Sequence, residues 1–106
     1  MKKIAIVIPV YSEEKNINIL FKELYSVTNA LNQYIWTYIF VNDGSYDNSI
    51  IKLKELSKKY KFIKTIDFSR NFGKEIALTA GVHHALDNDA VICIDADLQH
   101  PPNLIP

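Results

Sequence analysis

The sequence has little cysteine, no surplus of either charge and no long apolar run. Its single cysteine, Cys93, stands in an apolar stretch, so we expect a small buried residue in a reducing compartment, without disulfides or a Cys/His zinc site. Twelve basic and twelve acidic side chains cancel, which argues against nucleic acid or anionic lipid as a partner. No stretch approaches the roughly 20 apolar residues of a membrane span. We therefore expect a cytoplasmic protein that is soluble or at most peripheral to a membrane.

Two phosphate-binding motifs are also missing. The sequence contains no G-x-x-x-x-G-K-[ST] loop, and no G-x-G-x-x-G follows its first apolar run, which argues against a P-loop NTPase and a dinucleotide dehydrogenase. The N-terminal apolar stretch, residues 4–10, is short, is broken by Pro9 and lacks a small-residue cleavage pattern, so it predicts a strand and not a signal peptide. With 106 residues and no internal repeat or linker, the chain is expected to form one domain.

Four short β-rich runs alternate with three helical patterns along the chain. The predicted strands are residues 3–10, 34–42, 62–67 and 90–95, and the predicted helices are residues 13–32, 47–60 and 73–86. Alternation of this kind predicts right-handed βαβ units and a parallel sheet. We expect an α/β, Rossmann-like open parallel sheet in the strand order 3-2-1-4, with helices on both faces.

Local signals predict how the helices begin and which faces they bury. Ser12 and Asp47 are the expected N-caps of the first and second helices. Apolar residues at helical spacing give the first helix an inward face of Ile17, Leu20, Phe21, Leu24, Thr28 and Leu31. The second helix has the inward positions Ile50, Leu53, Leu56 and Tyr60. The third has a face for close packing, made of Ile76, Ala77, Ala80 and Gly81.

Polar segments follow three of the predicted strands. The order 3-2-1-4 creates a topological switch point between strands one and four, and ligands of such sheets bind beyond the carboxyl ends of the strands at that point. The segments expected there are residues 9–13, 42–45 and 95–99. Because they come from separate parts of the sequence, their convergence predicts a ligand-binding crevice.

The third of these segments carries two aspartates at the end of an apolar strand. Asp95 and Asp97 are two residues apart, so in extended backbone they point to the same side, and Gln99 can add a third oxygen. Hard oxygen ligands of this kind suit Mg²⁺ or Mn²⁺, completed by phosphates and water. The alternative is a pair of surface aspartates that cap the turn before Pro101.

Two other segments also have alternative interpretations. Asp43 either accepts a hydrogen bond from a nucleobase or only shapes a turn, and Tyr11 can lie along a base or ribose or simply follow the strand. Arg70 and Lys74 stand before and at the start of the third helix. There they can meet a diphosphate together with backbone N–H groups, or they can belong to a solvated helix entry.

Four stretches resemble a known family, in its order and spacing. The stretches are "IPVYSEEKNI", "VNDGSYDNS", "FSRNFGKEIALTAG" and "DADLQHPP". They are similar to those of the inverting nucleotide-sugar glycosyltransferases of family two, which have the GT-A fold. Within that family, the chain most resembles the polyprenyl-phosphate glycosyltransferases of the bactoprenol glucosyltransferase and dolichol-phosphate mannosyltransferase type.

The resemblance implies a role for each matching position. The residues expected around the nucleoside are Pro9, Tyr11, Glu13, Val41 and Asp43, with Asp43 on the base. The residues expected at the ribose and diphosphate are Asp95, Ala96 and Asp97, joined by Arg70 and Lys74. The ligands expected for Mg²⁺ or Mn²⁺ are Asp95, Asp97 and Gln99, with Asp97 as the catalytic residue. The metal neutralises charge on the departing nucleoside diphosphate.

The resemblance also implies a reaction and a domain assignment. A sugar would pass from a nucleoside diphosphate donor, with a UDP-sugar favoured, to a polyprenyl phosphate with inversion. This reaction would take place at the cytoplasmic face of a membrane, during cell-envelope glycan biosynthesis. Such enzymes continue well beyond the D-x-D region. We therefore expect residues 1–106 to form the nucleotide-sugar-binding part, without the acceptor-binding half, and to bind donor with little turnover on its own. A homo-oligomer is possible for such a protein.

Two other functions remain as alternatives. The first is a nucleotide-binding or assembly module that keeps the fold without catalysis. The second is a phosphohydrolase that uses Asp95 of the D-x-D as its nucleophile. Such phosphatases usually place this motif after the first strand and follow it with Thr or Val, whereas here it follows the fourth strand and precedes Leu98.

Overall fold

Seven elements alternate along the chain in the computed structural model, which describes residues 1–45 and 47–94. They are β1 (Lys3–Val10), α1 (Glu14–Ala30), β2 (Ile35–Asn42), α2 (Ser49–Lys59), β3 (Ile63–Asp67), α3 (Lys74–His84) and β4 (Ala90–Cys93). The predicted alternation of strands and helices is confirmed, and each observed element lies within a predicted one.

All the described strand pairs are parallel. The order is β3-β2-β1-β4, with Val10 of β1 opposite Asn42 of β2 and Val7 opposite Cys93 of β4. This confirms the predicted strand order. Each crossover between parallel neighbours contains a helix, as parallel pairing requires.

The continuous apolar run of β1 serves two cores at once, because successive side chains of a strand point to opposite faces of the sheet. The core on one face packs α1 and α2 against the sheet and includes Ile6, Ile8, Val10, Ile17, Leu20, Leu24, Tyr38, Phe40 and Leu53. The core on the other face packs the α3 side and consists of Ala5, Val7, Ile39, Val41, Ala77 and Ala85. Helices therefore cover both faces, as predicted.

The close packing predicted for α3 holds for part of its small-residue face. Ala77 and Gly81 are buried, and a Cβ at Gly81 would overlap the side chain of Val7. Ile76, which was expected on the same face, is 51% exposed. It lies about 100° around the helix from Ala77, so only one of the two can face the sheet.

The expected burial of Cys93 is wrong. Cys93 is exposed, as are Ala90 and Val91 in the same strand. Within the described residues, β4 pairs with β1 on one side only, and α3 packs mainly on β1 and β2. An apolar run therefore does not guarantee burial for a strand at the edge of the sheet.

Tyr38 brings a polar group into the α1 side of the core. Its ring is fully buried, and its hydroxyl shares a 2.5 Å hydrogen bond with the hydroxyl of Thr28 in α1. Burial raises the pKa of Tyr38 to about 12, although the bond to Thr28 acts in the opposite direction. The phenol is therefore neutral throughout the physiological range.

None of the helices in the described part of the chain is long and apolar enough to cross a membrane.

Candidate functional site

The loops that follow β1 and β2 lie side by side at the carboxyl edge of the sheet. The N–H of Asp43 donates a hydrogen bond of 2.8 Å to the carbonyl of Val10, which continues the pairing of the two strands into their loops. On the other side of β1, the N–H of Ile94 donates to the carbonyl of Val7 at 3.0 Å. Two of the three predicted polar segments, residues 9–13 and 42–45, thus meet as expected, and residues 95–99 lie outside the described residues.

The loop between β1 and α1 has one backbone position that a side chain rarely adopts. Ser12 has a φ of +52°, the left-handed region that costs a non-glycine residue about 1 kcal/mol or more. Its hydroxyl is buried and has no hydrogen-bond partner among residues 1–45 and 47–94, and its N–H donates to the hydroxyl oxygen of Ser45 at 2.8 Å. Ser12 is therefore not the N-cap of α1. Glu13 occupies that position, without a side-chain capping bond.

The first turn of α1 is capped by side chains of the next loop along the chain. The N–H of Glu13 donates to Ser49 Oγ at 3.0 Å, and the N–H of Glu14 donates to Asp47 Oδ2 at 3.3 Å. Asp47 Oδ1 in turn accepts from the hydroxyl of Ser49 at 2.6 Å and from its N–H at 2.9 Å. The orphan N–H groups of a helix start are thereby satisfied from a different loop.

Asp47 was predicted as the N-cap of α2, but Asn48 occupies that position. The side chain of Asp47 still caps the helix, because it accepts from the N–H of Ser49. Burial alone raises the pKa of Asp47. The hydrogen bonds from the Ser49 hydroxyl and from the backbone of Ser49 and Glu14 outweigh this, and the pKa of Asp47 lies below its ordinary value of 3.8. The carboxylate is therefore ionised and holds α1 and α2 together.

The carboxylate of Asp43 is directed at the loop between β3 and α3. Its Oδ1 accepts from the N–H of Phe72 at 2.8 Å, and its Oδ2 accepts from the N–H of Gly73 and from Asn71 Nδ2, each at 3.1 Å. Asn71 Nδ2 also donates to the Asp43 carbonyl at 3.1 Å. Asp43 is only 3% exposed. The expectation that Asp43 contacts a nucleobase stays a prediction, and the structure adds a second set of partners that the sequence did not suggest.

The same loop presses against Gly44. A Cβ at Gly44 would overlap the carbonyl carbon of Arg70 and the nitrogen of Asn71, and Gly44 has a φ of +69°. Only glycine meets both conditions without strain. The turn after β2 and the loop before α3 are therefore in backbone contact.

Arg70 lies over an aromatic ring at this edge. Its guanidinium carbon is 4.7 Å from the centroid of the Phe72 ring, which meets the ring of Phe68 edge-on at 5.4 Å. Lys74 is the first residue of α3. Two of the backbone N–H groups that were expected to meet a diphosphate here, those of Phe72 and Gly73, are occupied by Asp43. The two cations stay candidates for that role.

The other predicted nucleoside residues differ in exposure. Pro9 and Val41 are buried in the strands, whereas Tyr11 is 42% exposed just beyond β1. The side chain of Glu13 accepts from Asn16 Nδ2 at 2.9 Å. Of this group, Tyr11 is the most exposed and therefore the most available for contact with a ligand.

The predicted metal ligands Asp95, Asp97 and Gln99, together with Ala96, lie outside the described residues. Within residues 1–45 and 47–94, no group of three or more His, Cys, Asp or Glu side chains is arranged to hold a metal ion. The oxygen chemistry of two carboxylates and an amide suits Mg²⁺ or Mn²⁺.

Sequence reasoning missed four residues that organise this edge. Ser45, Ser49 and Phe72 were not singled out, and Asp47 was expected to cap one helix where it bridges two. The D-x-S spacing of Asp47 and Ser49 is a signal for a local side-chain turn. Nothing in the sequence indicates that their partners lie in the loop after β1.

Comparison with known proteins identifies relatives over almost the whole chain. The family model of glycosyl transferase family 2 matches residues 5–106. An uncharacterized glycosyltransferase of Synechocystis sp. is 48% identical over 103 residues, which cover 97% of this chain and 32% of the relative. A prophage bactoprenol glucosyl transferase homolog of Escherichia coli is 41% identical over 104 residues, 98% of this chain and 33% of the relative.

A solved structure supports the same fold. The mannosyltransferase PcManGT from Pyrobaculum calidifontis, in complex with GDP-Man and Mn²⁺, superposes with a TM-score of 0.77 at 18% sequence identity, covering 91% of this chain and 28% of that one. The chain spans about a third of the length of the curated relatives it matches. Because the family model covers all but the first four residues, the chain belongs to glycosyl transferase family 2 and has the fold of the nucleotide-binding part of a GT-A glycosyltransferase.

Proposed function

We propose that this chain is the donor-binding part of a glycosyltransferase that transfers a sugar from a nucleoside diphosphate sugar to a polyprenyl phosphate, with inversion at the anomeric carbon and with a divalent metal ion. The observation that carries the proposal is the match of residues 5–106 to glycosyl transferase family 2, together with 41% identity to a bactoprenol glucosyl transferase homolog. Residues 1–106 are the donor-binding part, and the reaction takes place at the cytoplasmic face of a membrane.

The nucleoside lies beyond the ends of β1 and β2. Pro9, Tyr11, Glu13, Val41 and Asp43 surround it, with the exposed ring of Tyr11 along the base or ribose. This arrangement is supported by the contact between the two loops, which join through Ser12 and Ser45. A UDP-sugar is the favoured donor. The solved relative that holds GDP-Man makes the guanine nucleotide the alternative to test.

Two groups of residues would bind the diphosphate. Asp95, Ala96 and Asp97 would contact the ribose and diphosphate, and Asp95, Asp97 and Gln99 would hold Mg²⁺ or Mn²⁺. When bound, the metal neutralises negative charge on the leaving nucleoside diphosphate. Arg70 and Lys74 supply two further positive charges near the entry to α3. These cations contribute to the same neutralisation, because a bound diphosphate is multiply negative.

The acceptor needs little activation. An ionised phosphate oxygen of the lipid attacks the anomeric carbon, a new carbon–oxygen bond forms to that oxygen, and the bond to the diphosphate breaks with its electron pair on the departing nucleotide. A phosphate oxygen is already anionic near neutral pH, so this step needs no strong general base. Asp97 would act as the catalytic residue by binding the diphosphate and the metal ion.

Donor binding tests the first half of the proposal. Calorimetry with UDP, GDP and their sugars, each with and without Mn²⁺, should show metal-dependent binding with a preference for one base. Asp97→Asn should weaken metal-dependent binding at least about tenfold, because it removes one of the anionic ligands. Asp87→Asn is the matched control, since Asp87 is an exposed aspartate in the turn before β4. Unchanged metal-dependent binding in Asp97→Asn would refute the metal site.

Transfer of radiolabelled sugar to polyprenyl phosphate in vesicles by the full-length parent protein tests the second half, because residues 1–106 alone are expected to show little turnover. The expected product is a lipid-linked sugar of inverted configuration. Metal-dependent nucleotide binding without any sugar transfer would instead identify a nucleotide-binding module that lacks catalysis. Cleavage of the donor's diphosphate by water, to a sugar phosphate and a nucleoside monophosphate, would point to a phosphohydrolase.

A further inference from the structure

Asp43 is bound on both carboxylate oxygens by a single short segment of chain. Its three carboxylate partners belong to the consecutive residues Asn71, Phe72 and Gly73, at 2.8 to 3.1 Å. Hydrogen bonds to a carboxylate are stronger than those between neutral groups, and Asp43 is 3% exposed, so water competes little for them. The carboxylate thus fixes the backbone of the loop that leads into α3.

The segment that Asp43 holds also carries the ring on which Arg70 rests. The Phe72 N–H binds Asp43 Oδ1 at 2.8 Å, while the Phe72 ring lies 4.7 Å from the Arg70 guanidinium. Phe72 is 39% exposed, so the ring does little to fill a core. Its contacts are with the guanidinium on one side and the edge of Phe68 on another. An exposed aromatic ring under a cation holds that cation through its quadrupole.

The backbone of Gly44 also contacts the loop before α3. The Arg70–Asn71 peptide lies so close to Gly44 that a Cβ there would overlap it. The position of Arg70 is therefore set at two points, by contact of its own peptide with the turn after β2 and by the ring of Phe72. Both points depend on residues that directly follow β2.

We propose that Asp43 is a positioning residue for Arg70: its carboxylate fixes the backbone of Phe72, and the Phe72 ring holds the guanidinium where it meets the donor diphosphate. The inference deepens the proposed function and rests on it for the identity of the ligand. Asp43 thus influences diphosphate binding through the loop before α3, in addition to any contact with the nucleoside. Phe72 is the connecting residue, and it has no assigned role in the reaction.

The coupling can be observed without any ligand, because Arg70 is the only arginine in the sequence. Its Nε–H group gives one unambiguous NMR cross-peak, and the amides of Phe72 and Gly73 report the bonds to Asp43. In Asp43→Asn, hydrogen exchange at these two amides should accelerate at least about tenfold and the Arg70 peak should shift. Glu75→Gln, which removes one negative charge from an exposed residue in the first turn of α3, should change neither signal.

Binding of Mn²⁺ and UDP separates a positioning role from direct contact with the base. Asp43→Asn and Phe72→Leu should each weaken UDP affinity about tenfold, and Phe72→Tyr should restore it because the aromatic face is kept. In an Arg70→Ala background, Asp43→Asn should weaken UDP affinity clearly less than the roughly tenfold loss that it causes alone, because the part of its effect that runs through Arg70 is already removed. If the double variant loses UDP affinity by the product of the two single losses, the proposal is overturned and direct contact between Asp43 and the base is favoured.

Further outcomes are equally decisive. Unchanged amide exchange or an unshifted Arg70 peak in Asp43→Asn overturns the proposal. If Asp43→Asn does not fold, Phe72→Leu carries the test, since Phe72 is partly exposed, and full UDP affinity in that variant overturns the proposal. If the unmodified protein binds no nucleotide, the proposed function fails, and the NMR signals still decide whether Asp43 positions Arg70.

Discussion

The backbone N–H of Ser12 donates a hydrogen bond of 2.8 Å to the hydroxyl oxygen of Ser45, which is 33 residues away in the sequence. This bond joins the loop after β1 to the loop after β2 at the edge where we propose the nucleoside binds. It is followed by the bonds from the N–H groups of Glu13 and Glu14 to Ser49 and Asp47. Three consecutive backbone donors at the start of α1 are thus bound by the side chains of Ser45, Asp47 and Ser49, which joins the two segments at this edge.

Ser45→Ala tests this junction. The change leaves the partly buried N–H of Ser12 without its acceptor, which should lower the free energy of unfolding by about 1–2 kcal/mol. Urea denaturation followed by circular dichroism measures the change. Ser26→Ala is the control, since Ser26 is an exposed serine in α1, and it should stay within about 0.5 kcal/mol of the unmodified protein. Equal stability of the two variants would mean that the bond does not contribute.

Gly44→Ala should be among the most damaging single substitutions in the protein. The added Cβ meets the Arg70–Asn71 backbone, and the φ of +69° adds strain, so we expect a loss of more than about 3 kcal/mol. Gly73→Ala is a matched comparison: Gly73 has a φ of +102°, and an added Cβ there would meet no atom of the described residues within 4 Å, its two chain neighbours aside. Backbone strain alone should lower the free energy of unfolding of Gly73→Ala by about 1–3 kcal/mol. A larger loss at Gly73, measured by thermal unfolding, would contradict the close approach at Gly44.

Because of Asp47, the free energy of unfolding should fall at acidic pH. Hydrogen bonds to its carboxylate hold the folded-state pKa of Asp47 below the ordinary 3.8, so the unfolded chain binds its proton first as the pH falls. The stabilisation is present above about pH 4 and disappears as the pH drops through the lowered folded-state pKa. The difference in unfolding free energy between the unmodified protein and Asp47→Asn should therefore shrink between pH 7 and about pH 2. A difference that is constant with pH would show that the charge of Asp47 contributes nothing.

Tyr38 should make the protein less stable at high pH, whereas Asp47 makes it less stable in acid. Burial raises the pKa of Tyr38 to about 12 from 10.0, so above pH 10 the unfolded chain loses its phenol proton before the folded protein does. Stability is then lost as the pH rises towards 12. Tyr38→Phe should lower the free energy of unfolding by about 1–2 kcal/mol near neutral pH, because Thr28 loses its partner. At pH 11, the difference in unfolding free energy between the two proteins should be smaller by about 1 kcal/mol.

Urea titrations of both proteins at pH 7 and about pH 11 make this comparison, and the remaining tyrosines cancel because they are common to both. Thr28→Val is a useful companion variant, since it removes the hydrogen bond and keeps the phenol. It should retain the alkaline loss of stability that Tyr38→Phe lacks. The same alkaline dependence in Tyr38→Phe would assign the loss to another group.

Much of the fold was predictable from local patterns. The apolar run of β1 indicated a strand covered on both faces, and the structure divides it between two cores, with Ile6 on one side and Val7 on the other. The predictions failed where a neighbouring element decides the outcome. Cys93 is exposed because β4 stands at an edge of the sheet among the described residues, and Ile76 is exposed because Ala77 takes the position against the sheet.

At the candidate site, the sequence by itself determined which chemical groups are available and at which edge of the sheet they stand. The alternation of elements predicts a parallel sheet, and parallel strands place their carboxyl ends together. Only the tertiary structure decided that the carboxylate of Asp43 binds the segment before α3, and that Ser45, Asp47 and Ser49 cap α1. The physical reason is that the sequence shows which groups can donate or accept a hydrogen bond, but not which of them will pair. Partners are chosen when packing brings distant loops within about 3 Å of each other and removes the water that would otherwise bind them.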